Sequence, residues 1–197
     1  MSIEATPPRW MELVLRGSLP RRDVATVSGD LLEEYRERVY PARGRRRADA
    51  WFLTQVLGFA WRNARLWVTL LSVAFIARTA MDWLVPTADF HFRATLSTLT
   101  GAGILLLAGF WAGARSGSLS AGAVIGVTTA ALAVPIDALG TVGLLSVWHD
   151  AKTITAIHAS GGLEEVFALP MLLILPGVAL GTIGGLLGAV TARLRSA

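Results

Sequence analysis

The stretch LWVTLLSVAFIARTAMDWLV (66–85) decides the fold. As a helix rising 1.5 Å per residue, it is long enough to cross about 30 Å of hydrocarbon. Apolar stretches of comparable length follow at about 96–114, 119–147 and 166–191. A water-soluble core rarely contains four such runs, and they lack the alternation typical of barrel strands. The sequence therefore predicts an all-α integral membrane protein with four transmembrane helices.

Composition supports this class. Of the 197 residues, 53% are hydrophobic and 16% are charged, whereas soluble domains carry about 25% charged residues. Intrinsic disorder is excluded, because it requires low hydrophobicity. Since the chain has no cysteine, disulfide scaffolds, thiol catalysis and iron–sulfur clusters are excluded as well.

The basic charge lies in the first third of the chain. Residues 1–65 contain 12 arginines against 8 acidic residues, whereas the remaining residues contain 6 basic and 6 acidic side chains. This difference predicts two domains, a small three-helix module over 1–60 and a transmembrane domain over 61–197. We expect the module to be cytoplasmic and to end in an amphipathic juxtamembrane helix.

Within the module, apolar side chains recur at steps of three and four residues, as in an amphipathic helix: Val24, Val27, Leu31, Tyr35 and Val39. We expect this helix to end at Pro41, a loop to follow over 43–47, and a third helix to carry Trp51, Phe52 and Phe59. These aromatic side chains either lie on the membrane surface or pack the three helices together.

Arginines next to the first span predict the orientation. The set is Arg43, Arg45, Arg46, Arg47, Arg62 and Arg65. The positive-inside rule then places both termini in the cytoplasm of a bacterial inner membrane, crossed several times. The 43–47 cluster either binds anionic lipid headgroups or acts only as a topology signal.

Three charges inside the spans are the candidate functional residues: Arg78, Asp82 and Asp137. Such charges are expensive in lipid and usually face the bundle interior or a partner. Counting from the start of each span puts all three in the outer half of the membrane. We expect Arg78 to bridge Asp82 and Asp137, either as a structural clamp or as part of a proton or ion relay; the alternative is contact with interfacial water.

Small residues at four-residue spacing predict close helix packing. They are Gly109, Gly113, Gly122, Gly126, Gly177, Gly181 and Gly185. The first interpretation is packing within one four-helix bundle, and the alternative is a homodimer interface along the fourth helix.

Enzymatic motifs are missing. The sequence has no Walker loop, no Gly-x-Ser-x-Gly and no His-Glu-x-x-His. The predicted outer loop over 148–165 contains His149, Asp150, His158, Glu164 and Glu165, whose spacing matches no metal-ligand motif. We therefore predict solvated loop residues there, no metal, no cofactor, no catalytic residues and no enzymatic activity.

The N-terminal segment contains Pro7-Pro8-Arg9, Leu19-Pro20, GDLLEEYRER (29–38), and Arg46-Arg47 leading to Trp51 and Gln55-Val56-Leu57. Over about 6–57 it resembles the permease prefix domain, the N-terminal module of bacterial ABC-type permeases related to macrolide exporters. The resemblance implies a cytoplasmic helical module on a transport-related membrane protein, without catalytic residues. Those permeases carry a large extracytoplasmic domain after their first transmembrane helix, whereas the corresponding loop here spans only 86–95.

Three functions follow as expectations. The first is an accessory or regulatory subunit of a transport system, with an ABC permease or ATPase bound to the face formed by Glu33, Glu34, Arg36, Glu37 and Arg38. The second is a small self-oligomerising transporter or channel that uses the intramembrane charges. The third is a membrane sensor coupled to a transcription regulator, although the eight acidic residues of the first third disfavour nucleic-acid binding.

Overall fold

The computed structural model describes residues 5–85, 90–159, 168 and 171–196, and every regular element in those residues is a helix. The α-helices are α1 (Arg9–Ser18), α2 (Arg21–Glu34), α3 (Tyr40–Leu84), α4 (Phe90–Ser116), α5 (Leu119–Val147), α6 (Ala151–Ala159) and α7 (Ile174–Ser196). A π-helical turn over Tyr35–Val39 joins α2 to α3. The predicted all-α fold is confirmed.

Four of the helices are long and apolar enough to cross a membrane, namely the C-terminal part of α3, then α4, α5 and α7. Their most apolar windows are only 22–39% buried. Large side chains such as Leu99, Leu139 and Leu175 are 64%, 72% and 79% exposed. A water-soluble monomer rarely exposes so much contiguous apolar surface. The architecture is therefore that of a four-span membrane protein, as predicted.

The N-terminal residues form a core of their own. It is built from α1, α2, the π turn and the first half of α3, and its aromatic centre is Tyr35, whose ring meets Phe52 edge-on at 5.8 Å between centroids. The Tyr35 hydroxyl donates a 2.6 Å hydrogen bond to Asp49. Burial raises the pKa of Tyr35 above its ordinary value, and the hydrogen bond to Asp49 adds to the effect. Phe52 is completely buried here, so this ring packs the module rather than a membrane surface.

The junction between α2 and α3 differs from the sequence prediction. Pro41 does not end a helix but lies in the first turn of α3, and the expected 43–47 loop is instead helical on either side of one kink at Gly44, with φ 70° and ψ 168°. Proline is tolerated in a first turn because its missing N–H would be unpaired there in any case. Glycine adopts the positive φ of the kink without a steric penalty.

The first span is likewise no separate helix. It is the far end of α3, which has 45 residues. From Gly44 to Leu84 this helix measures about 60 Å at 1.5 Å per residue, twice the thickness of the hydrocarbon core. One helix therefore contributes Phe52 to the N-terminal core and Phe75 to the bundle core.

Contacts between spans define the bundle. Arg93 at the start of α4 meets Asp82 near the end of α3, so these helices are antiparallel. Gly126 and Gly122 on α5 meet Gly177 and Gly181 on α7, respectively, so that pair is antiparallel too. In chain order the spans alternate in direction, and α3 therefore runs parallel to α5.

The module also contacts the bundle directly. A Cβ on Gly17 of α1 would lie 2.6 Å from Cγ2 of Val124 on α5. At the opposite end of the bundle, the short helix α6 packs on α3 and buries Thr153, Ala156 and Ile157. This helix lies in the segment predicted as the longer outer loop, and its apolar side explains why it folds onto the bundle.

Candidate functional site

Asp82 is held between two arginines at the end of α3. The Nε atom of Arg78, one turn earlier, lies 3.3 Å from Oδ2, and Nη1 of Arg93 on α4 lies 3.4 Å from Oδ1. Asp82 itself is only 5% exposed. Sequence reasoning predicted the pair of Arg78 with Asp82 and missed Arg93, which lies between the predicted spans 66–85 and 96–114.

Arg93 also closes the end of α3. Its Nη1 donates hydrogen bonds to the carbonyl oxygens of Met81 at 3.0 Å and Val85 at 2.7 Å. The last carbonyls of a helix have no partner within the helix and attract cations. This end of the bundle is therefore tied together by a guanidinium shared between one carboxylate and two backbone carbonyls.

A groove of about 200 Å³ lies beside this cluster, between α3 and α4. Its lining is apolar apart from two arginines and two hydroxyl side chains: Ala74, Ala77, Arg78, Met81, Arg93, Leu96, Ser97 and Thr100. Both arginines contact Asp82 and share the negative charge of its one carboxylate.

Asp137 is not part of the cluster. It is 4% exposed, and neither of its carboxylate oxygens has a hydrogen-bond partner among the described residues. The predicted bridge from Arg78 to Asp137 is therefore wrong. Ser72 on α3 is the polar neighbour of Asp137, but its hydroxyl also lacks a hydrogen bond.

Arg78 and Asp137 do not meet because α3 and α5 are shifted relative to each other along their axes. Gly140 on α5 lies against Ile76 on the parallel helix α3. Asp137 precedes Gly140 by three residues and Arg78 follows Ile76 by two, so the two charges are separated by about 7 Å along the helix axes. Counting each span from its first apolar residue placed Asp137 too far out, because the two helices do not start at the same level.

A third polar group is buried without a partner. The hydroxyl of Thr129, two turns before Asp137 on α5, has no hydrogen bond, and the residue is completely buried. Unpartnered buried polar groups are costly and rare in native structures. Ser72, Thr129 and Asp137 are thus buried polar side chains without a hydrogen bond to the described residues.

The predicted small residues come together along α7. Gly177, Gly181 and Gly185 lie against Gly122 and Gly126 of α5, and the last two also against Gly109 and Gly113 of α4. At each of these positions a Cβ would overlap backbone or Cβ atoms of the facing helix. The contact lies inside one bundle, so these glycines are occupied and leave no room there for the helix of a second copy.

Two further glycines belong to the same contact. Gly184 and Gly188 lie against the backbone of Leu106 and Phe110, on α4. Their four-residue spacing was visible in the sequence, offset by three residues from the run that was singled out.

The arginine set of the sequence analysis is exposed: Arg43, Arg45, Arg46, Arg47, Arg62 and Arg65. Arg45 lies 4.0 Å from Asp49, and the Arg62 guanidinium lies 5.8 Å from the centroid of the Phe59 ring. All six side chains lie on α3, on the side of the span where the N-terminal core lies.

The histidines do not form a metal site in the described part of the chain, where no group of three ligand side chains occurs. His149 and His158 are exposed. Asp150 instead lies directly before α6, where it accepts hydrogen bonds from the backbone of Thr153 and Lys152. The bond from Thr153 holds the pKa of Asp150 below its ordinary value. Glu164 and Glu165 lie outside the described residues.

No family model matches the chain, and comparison with curated proteins and with solved structures finds no match. The resemblance to the permease prefix domain therefore stays a prediction based on the N-terminal residues alone.

Proposed function

We propose that this protein is a non-enzymatic subunit that accompanies a transport system, and that its N-terminal module transmits partner binding to the membrane helices. The observation that carries the proposal is that the N-terminal module and the membrane bundle are connected at two places. The helix α3 belongs to both cores, and α1 contacts α5 through Gly17 and Val124. A displacement of the module must therefore move helices of the bundle.

The module offers a surface for such a partner. Glu33, Glu34, Glu37 and Arg38 are exposed on α2 and the π turn. Tyr35 and Val39, on the opposite side, are buried in the core. Three acidic side chains on an exposed face favour a basic partner surface. We take the partner to be an ABC-type ATPase or permease, the class that the prefix resemblance implies.

The positive-inside rule supports a cytoplasmic position for the module, because six arginines lie on α3 before or at the start of its span. Under this orientation Asp82 and Arg93 lie near the outer surface.

Photo-crosslinking in intact membranes tests the proposal. A photoreactive amino acid at Glu34 is expected to capture a transport ATPase or permease subunit, identified by mass spectrometry. The matched position is Asp23, at the other end of α2, where capture is expected to be weak. If the Glu34 position captures only lipid or other copies of this chain, the accessory function is wrong.

A second candidate function has one observation in its favour. Asp137 is a carboxylate buried without a partner, and an unpaired buried charge is so unfavourable that a proton or cation is expected to neutralise it. A self-oligomerising transporter or channel would use such a group. Proton or cation flux in proteoliposomes that Asp137→Asn abolishes, with the protein still monodisperse, would support this function; a purified protein with no flux would exclude it.

A further inference from the structure

One cavity lies at the junction between the module and the bundle. It has a volume of about 510 Å³, within the range of ligand sites in proteins. Three separate parts of the chain enclose it: the α1–α2 junction, the connection between α4 and α5, and the end of α7. The site is thus complete only when the module is docked.

Arginines from three helices line this cavity. Arg16 lies in the last turn of α1, Arg21 begins α2 and Arg193 is near the end of α7. Among the described residues, no carboxylate lines the cavity. Glu12 lies 3.9 Å from Arg16 on the same helix. In the other arginine-lined groove, by contrast, Asp82 lies between the two guanidinium groups.

Uncharged hydrogen-bond donors in the cavity also favour an anion. Ser118 and Ser120 line the cavity at the start of α5, and Ser118 caps that helix without a side-chain hydrogen bond to its backbone. The start of a helix favours anions, because its first N–H groups are unpaired. Gly117, with φ 65°, turns the chain between α4 and α5, and the Arg21 Nη1 atom lies 3.9 Å from the position of a Cβ there.

We propose that this cavity binds a phosphate group. Guanidinium groups bind phosphate by paired, charge-assisted hydrogen bonds, and three of them converge here with hydroxyl groups and a helix N-terminus. The cavity lies where two spans end, which is the depth of lipid headgroups, and it also opens to solvent. The phosphate is supplied by an anionic lipid headgroup or by a soluble phosphate, and either one links α1 and α2 to the bundle.

The experiment uses the full chain, purified in a neutral detergent and stripped of lipid. Thermal unfolding is followed with added phosphatidylglycerol, with phosphatidylcholine, with inorganic phosphate, and with chloride at matched ionic strength. A stabilising ligand that binds only the folded state raises the midpoint. We expect a rise of about 5 °C with phosphatidylglycerol or phosphate, and less than about 1 °C with phosphatidylcholine or chloride.

The four additions distinguish the sources. A shift with phosphatidylglycerol alone identifies a lipid headgroup, whereas a shift with inorganic phosphate identifies a soluble phosphate or a site for the group itself. The double variant Arg21→Gln/Arg193→Gln is expected to weaken the apparent affinity at least about tenfold. The control Arg43→Gln/Arg46→Gln removes the same charge from an exposed surface outside the cavity and should keep the shift.

An equal loss in both double variants would mean that net charge alone attracts the anion, and the proposal would be wrong. The same conclusion follows if neither phosphate source raises the midpoint. If the Arg21→Gln/Arg193→Gln variant does not fold, native mass spectrometry of the unmodified protein tests the proposal instead. Retention of phosphatidylglycerol or phosphate over phosphatidylcholine supports the site, and equal retention overturns it.

Discussion

The core of the N-terminal module and the contacts of α7 within the four-helix bundle are built in opposite ways. In the module, large side chains such as Leu15, Tyr35 and Phe52 are completely buried. In the bundle, the backbone of Gly181 touches α4 and α5 at positions without side chains. Water drives the burial of apolar side chains, but lipid is as apolar as leucine, so helices in lipid associate through close packing. The two cores should therefore fail under different substitutions.

The largest expected effect is on the bundle. Gly126→Leu places a side chain against the Gly177 carbonyl oxygen, where even a Cβ overlaps. Overpacking by a few carbon atoms already costs about 1–3 kcal/mol, and here backbone rather than a side chain must move. We expect loss of the monodisperse peak in size-exclusion chromatography.

Gly143→Leu is the matched control on the same helix, because nothing lies within 4 Å of a Cβ at that position. It should behave as the unmodified protein does. If the two glycine variants elute alike, the close contact of α5 with α7 does not hold the bundle together.

The module, in contrast, should be destabilised when a large buried side chain is shortened. Phe52→Ala removes a completely buried ring, and such a change costs about 3–5 kcal/mol. Limited proteolysis should then cleave the N-terminal residues while the fragment with the four spans stays intact. Leu57→Ala, on the same helix but 47% exposed, should leave the cleavage pattern unchanged; simultaneous loss of module and bundle would show that they are one cooperative unit.

A smaller effect concerns the polar bond inside the module. Tyr35→Phe removes the hydroxyl that donates to Asp49 at 2.6 Å and should cost about 1.5 kcal/mol. Because burial raises the pKa of Tyr35 in the folded state, its contribution is present below the ordinary tyrosine pKa of about 10 and is lost as the pH rises further. The midpoint of the unmodified protein should fall more steeply above pH 10 than that of the variant. Parallel pH profiles would contradict the burial of this hydroxyl.

The smallest expected effect is a gain in stability rather than a loss. Thr129→Val replaces a buried hydroxyl without a hydrogen bond and should stabilise the bundle by about 1 kcal/mol. Its neighbour Thr128 donates to the Val124 carbonyl oxygen at 2.7 Å, so Thr128→Val should bring no gain. A loss of stability in the Thr129 variant would indicate a bound water or ligand at this hydroxyl.

Part of the candidate site was predictable from sequence. The pair of Arg78 with Asp82 follows from their four-residue spacing on one helix, and the glycine contacts follow from the same periodicity. The partner Arg93 and the isolation of Asp137 were not predictable, because both depend on the relative depth of different helices. The cavity formed by Arg16, Arg21 and Arg193 brings together residues up to 177 positions apart, and no local pattern marks them.

The amino-acid sequence alone determined that this chain crosses a membrane four times and which positions are small enough for close helix contact. Hydropathy and helical periodicity are local properties, and the thickness of the hydrocarbon sets the length that a span requires. Only the tertiary structure decided that α3 continues through both cores, that Asp82 pairs with α4, and that three arginines line one cavity where the module docks. These contacts depend on how far each helix is shifted along its neighbours, and that shift results from packing between segments distant in the chain.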